Sequence, residues 1–114
     1  MDATEWILLY DYYGDLLTDR QKECFELRYN QDLSLGEIGQ ELGISRQGVF
    51  DNLSRTEALL KNMEAKTGCM RRDIACRKAM DLISGVAQEL IHDSDERVVR
   101  LAQQILETVQ TLEE

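Results

Sequence analysis

Proline is absent from the 114 residues, histidine occurs once, at His92, and cysteine three times. Without proline, no helix is forced to kink and no proline-rich linker divides the chain. One histidine and no Cys-x-x-Cys pair leave too few ligands for a closed zinc site. Cys24, Cys69 and Cys76 cannot all pair within one molecule, and two helical residues seven apart sit about 10 Å apart along the axis, too far for a disulfide between Cys69 and Cys76. An odd thiol count, with an acidic start at Asp2 and Glu5 in place of the basic n-region of a secretory signal, predicts reduced cysteines in a cytoplasmic protein. The longest apolar run, Trp6 to Tyr10, falls far short of the ~18 residues that cross a bilayer. Basic excess is missing as well: 22 acids against 13 Lys and Arg give a net charge of −9, which excludes a uniformly basic chain. There is no phosphate-cradling glycine loop, nucleophile elbow or metal constellation, so neither an enzyme nor a bound cofactor is expected.

What is present is helical. Apolar residues make up 43% of the chain and aromatics 6%, with apolar positions recurring at 3.6-residue spacing, so an all-α domain with one core is expected. Trp6, Leu9, Tyr10, Tyr13, Leu16 and Leu17 predict the inner face of a first helix; Ile7, Leu8 and Tyr12 leave that face and suggest a second contact, such as another subunit. Thr18 with Gln21 and Ser34 with Glu37 are capping-box patterns that open the second and third helices, the second ending near Tyr29 and the third stopping at Gly43. Ser45 caps a fourth helix whose inner stripe is Val49, Leu53, Thr56, Leu60 and Met63. Thr67 and Gly68 break it. A fifth helix is expected to bury Ala75, Ala79, Leu82, Ile83, Val86 and Leu90. A sixth, capped by Ser94, carries Val98, Leu101, Ala102, Ile105, Val109 and Leu112. Residues 1–66 and 67–114 are thus two parts of one domain.

The informative stretch is SLGEIGQELGISRQGVFDNLSR, Ser34 to Arg55. A short helix, a glycine-containing turn and a second helix follow one another, which is the layout of a helix-turn-helix. Gly39 lets the two helices approach closely, Gly43 takes a positive φ, Ile44 plugs the corner, and Ile38, Leu42, Val49 and Leu53 form the shared core. The outward set on the second helix is Arg46, Gln47, Phe50, Asp51, Asn52, Ser54 and Arg55. Arg46 suits guanine, Gln47 or Asn52 adenine, and Phe50 a thymine methyl. Each residue also has a reading as an ordinary solvated helix position, weaker for Arg46 and Gln47 than for the others. Gly48 weakens the helix, and Asp51 puts a negative charge where a phosphate approaches.

Thr18 to Glu57 resembles the region-four helix-turn-helix of bacterial sigma factors. Within that superfamily, Thr-Asp-Arg-Gln, Asp-Leu-Ser-Leu-Gly-Glu-Ile and Ser-Arg-Gln-Gly-Val-Phe-Asp-Asn are similar to the YlxM family, with Gly39 and Gly48 standing where alanines are expected. The resemblance implies a wingless helix-turn-helix followed by a C-terminal helical hairpin. It also implies DNA binding and a part in, or regulation of, the signal recognition particle pathway, because such proteins are encoded beside components of that particle.

Charge is uneven along the chain. Lys61, Lys66, Arg71, Arg72, Arg77 and Lys78 against Glu64 and Asp73 make residues 61–78 locally +4, whereas residues 79–114 are −6. Screening over the ~8 Å Debye length lets the local sign matter. A nucleic-acid backbone could therefore meet Arg46 and Arg55 together with Lys61, Lys66, Arg71 and Arg72. The same basic stretch could instead pair with the acidic last helix of its own or a second subunit. The expected partners are DNA, or alternatively the RNA or protein of the signal recognition particle, with the protein itself a homodimer and no membrane contact.

Overall fold

In a computed structural model, which describes residues 1–113, six α-helices follow one another and no strand occurs among the described residues. Helix α1 spans Ala3–Tyr13, α2 Asp19–Tyr29, α3 Leu35–Leu42, α4 Arg46–Thr67, α5 Cys69–Leu90 and α6 Glu96–Glu113. The fold is the expected all-α one. The chain forms two compact units, Met1–Arg71 and the residues from Arg72 onward.

The helix starts follow from side chains that take up free backbone N–H groups. Thr18 and Gln21 close a reciprocal capping box, as do Ser34 and Glu37. Ser45 Oγ accepts from the Gly48 N–H at 3.0 Å. Gly43 (φ 69°) and Gly68 (φ 63°) end α3 and α4 in the left-handed region that only glycine enters freely. The sixth helix differs from expectation: it begins at Glu96, and Asp95, not Ser94, caps it, its carboxylate accepting from the Arg97 N–H at 2.9 Å.

The first unit holds two cores. Trp6, Leu9, Tyr13, Leu17, Phe25 and Leu60 form one, with Tyr10 and Tyr29 stacked on either side of Phe25 at 4.4 Å between ring centroids. Tyr12 packs partly on this core as well, while Leu8, also off the inner face, is 38% exposed. Leu16 corrects the expected inner face: it is 71% exposed. The chain leaves the α-helix after Tyr13 for a 3₁₀ turn, Gly14–Leu16. At three residues per turn, Leu16 falls out of phase while Leu17 reaches the core. Cys24, Ile38, Val49 and Leu53 form the second core, flanked by Leu35, Leu42 and Ile44.

The second unit is sparse. Its buried side chains among the described residues are Ala87, Ala102 and Val109. On α5 the covered positions of this unit are Ile74, Met80, Ser84 and Ala87, with Ile91 covered just past its end. The expected inner stripe is outside instead: Leu82 is 69% exposed and Val86 52%, and Ala75, Ala79, Ile83 and Leu90 are exposed too. Ser84 and Ala87, not Leu82 and Val86, thus lie on the covered side of α5.

Candidate nucleic-acid interface

Helices α3 and α4 meet at an angle set by one missing methyl group. A Cβ on Gly39 would lie 2.7 Å from the Ile44 carbonyl oxygen, so an alanine does not fit without moving backbone. Gly43 then turns the chain, and Ile38 against Val49 and Leu53 locks the pair. From α2, Cys24 completes this core and Arg20 donates to the Leu42 carbonyl at 3.3 Å, covering an open C-terminal group of α3. Neither was legible as part of the motif, since both come from outside it.

The start of α4 projects Arg46, Gln47 and Phe50 into solvent, Phe50 with half of its surface exposed. These three, with Leu35 from α3, line one open groove. Leu35 both flanks the second core and lines this groove. The first turn of α4 carries no acid and Arg46 lies within it, so the partial positive end of the helix and a guanidinium face the same space. Gln47 Nε2 donates to Asp51 Oδ1 at 3.0 Å. Asp51, expected as a charge opposed to phosphate, also holds the Gln47 amide in place.

The remaining candidates divide. Arg55 is exposed on α4. Asn52 is not outward as expected: it is half-buried, and its Oδ1 is shielded from solvent with no hydrogen-bond partner. Lys61 lies with Nζ 5.4 Å from the Trp6 ring centroid, a cation–π contact that ties it to the first core. Lys66 is exposed in the last turn of α4, where a cation suits the helix dipole. Arg71 and Arg72 are exposed near the start of α5. That start is capped from a distance by Glu64, whose carboxylate accepts from the Met70 N–H at 3.0 Å, the Arg71 N–H at 3.1 Å and the Tyr13 hydroxyl at 2.6 Å. Partial burial pushes the Glu64 carboxyl up, but these hydrogen bonds and the Arg71 charge outweigh it and hold the group below the usual carboxylate range. Among the described residues no group of acids, cysteines and histidine is arranged to hold a metal ion, and no helix is long and apolar enough to cross a membrane.

Known proteins agree with this architecture. The UPF0122 family, described as "Putative helix-turn-helix protein, YlxM / p13 like", matches residues 2–103. A UPF0122 protein of Thermoanaerobacter sp. (strain X514) is 41% identical over 106 residues, covering 92% of this chain and 91% of its own. One from Acetivibrio thermocellus is 45% identical over 83 residues, 72% and 71% of the two chains. One from Bacillus mycoides (strain KBAB4) is 36% identical over 111 residues, 97% and 96%. With the motif geometry in place and the match running over most of its length, the chain belongs to the UPF0122 family of YlxM / p13-like helix-turn-helix proteins.

Proposed function

We propose that the protein is a cytoplasmic DNA-binding regulator that acts as a homodimer and reads DNA with the first turns of α4. The observation that carries this reading is the groove in which Arg46, Gln47 and Phe50 gather beside Leu35 at the acid-free start of the helix. Arg46 would pair with guanine or phosphate, Gln47 with adenine, and Phe50 with a thymine methyl, while Arg55 adds a backbone contact. Asn52, being half-buried, is left with a supporting role, and Lys66, Arg71 and Arg72 supply sequence-independent attraction. Lys61 contributes only if it leaves Trp6. The test is a titration against a random-sequence duplex library and the sites selected from it. Replacing Arg46 and Arg55 together by alanine should lower affinity at least tenfold and reduce the salt slope by roughly two, about 0.9 for each phosphate no longer neutralised. Unchanged affinity and slope would remove the reading.

The basic residues 61–72 lie beyond the recognition turns and favour a second reading, an adaptor that meets the RNA or protein of the signal recognition particle. Capture from lysate that recovers neither that RNA nor that protein counts against it.

A further inference from the structure

The second unit carries an apolar face that its own two helices do not cover. On α5, Leu82, Ile83, Val86 and Leu90 are 38–69% exposed; on α6, Leu101, Ile105 and Leu112 are 38–70% exposed. Ile83 joins Met80, Leu101, Ile105, Val109 and Leu112 around one groove, which connects the α5 stripe to the α6 stripe. A pair of helices whose buried residues are Ala87, Ala102 and Val109 has too small a core to hold itself together, since helices draw most of their stability from an apolar face packed against a neighbour. Those seven side chains expose on the order of 700 Å² per copy, against about 800 Å² per partner in stable interfaces.

We propose that this face is covered by the same face of a second copy, with the two α5 helices antiparallel across a two-fold axis near Ile83. The proposal rests on the homodimer reading above and assigns it a surface, independently of DNA binding. Charge placement selects a second copy. An isologous contact must be self-complementary, carrying both signs at opposite ends. Along one rim of the apolar stripe, Arg71 lies in the first turn of α5, Lys78 near its middle and Glu89 near its end, 7 and 11 residues apart and so at nearly the same angle. Reversing one α5 on another sets Lys78 against Glu89 of the other copy at each end. It also directs the basic start of α5 toward Asp93 and Asp95 of the turn and Glu96 at the start of α6.

The same register gives Gly85 a purpose. A glycine in a helix interior is unfavourable against alanine, and a Cβ there would meet nothing within 4 Å. Pairing Lys78 with Glu89 places Leu82 of one copy over Gly85 of the other, where the missing side chain lets the helices approach.

Sedimentation equilibrium of the whole chain without nucleic acid tests the arrangement, with helicity followed by circular dichroism. A dimer is expected at micromolar concentration. Leu82→Asp should raise its dissociation constant at least tenfold while the chain keeps most of its helix. Gly85→Leu should weaken the dimer although leucine is the better helix former. Lys78→Glu and Glu89→Lys should each weaken it several-fold, and the double exchange should restore it. A wild-type monomer at 100-fold higher concentration, or a dimer indifferent to Leu82→Asp, overturns the surface, and single exchanges without rescue overturn the antiparallel register. None of these outcomes depends on whether Arg46 contacts DNA.

Discussion

Three tyrosines in the first unit each donate to a glutamate: Tyr10 to Glu26 at 2.8 Å, Tyr13 to Glu64 and Tyr29 to Glu57, both at 2.6 Å. Burial first, and then the neighbouring carboxylate, raises all three phenols, Tyr10 to about 12. A raised phenol stabilises the fold below the unfolded value of about 10 and loses that contribution as pH climbs through the folded value. Glu37, held down by the Ser34 N–H and hydroxyl, and Glu64 act in the opposite direction. Their contribution is present above the unfolded carboxylate value and disappears as pH falls through the folded one. Urea midpoints should therefore form a plateau across neutral pH, falling in acid below about 4 and again above about 10. Tyr13→Phe removes a donor to a carboxylate that also caps α5, and should cost about 1–2 kcal/mol in urea unfolding with a weaker alkaline loss. Such pairs are invisible to periodicity, which shows that Tyr13 faces inward but not that a residue 51 positions later receives its hydrogen bond. Cys24 is similar: one thiol in the sequence, it proves to be core, with burial pushing it up.

At the scale of elements, what was legible was local chemistry. Thr18 with Gln21 and Ser34 with Glu37 announce helix starts because each box is completed within four residues, and Gly43 and Gly68 announce stops because few other residues take a positive φ without strain. The inner face of α5 was not legible. Its period marks two groups of residues, Leu82 with Val86 and Ser84 with Ala87, and only the neighbouring helix decides which group becomes the seam. Within the motif, the two glycines that replace expected alanines separate on geometry. Gly39→Ala brings a methyl against the Ile44 carbonyl and should destabilise the fold by about 1–3 kcal/mol. At Gly48, a Cβ would meet the capping Ser45 Oγ at 3.2 Å, so a gain of up to about 1 kcal/mol in helix propensity is set against a disturbed cap. Gly48→Ala should leave the urea midpoint nearly unchanged, which makes it a usable control beside Gly39→Ala.

For the whole molecule, the net charge of −9 first argues against nucleic acid, yet it is distributed as acidic ends around a nearly neutral motif and a basic stretch. Binding that relies on a few cations in such a field should be steeply salt-dependent. The division into two units carries its own expectation: residues 1–71, which hold both cores, should fold alone with a cooperative urea transition, whereas residues 72–114 alone should gain helix only as concentration rises. A built-in means of telling the units apart follows from where the aromatic residues fall. All seven lie between Trp6 and Phe50, and the lone tryptophan sits in the first core under Lys61. Tryptophan emission and near-ultraviolet signals therefore originate in the first unit, while far-ultraviolet ellipticity sees every helix. Subtracting one melting curve from the other isolates the unlabelled hairpin, so the protein comes with its own contrast for watching its two halves separately.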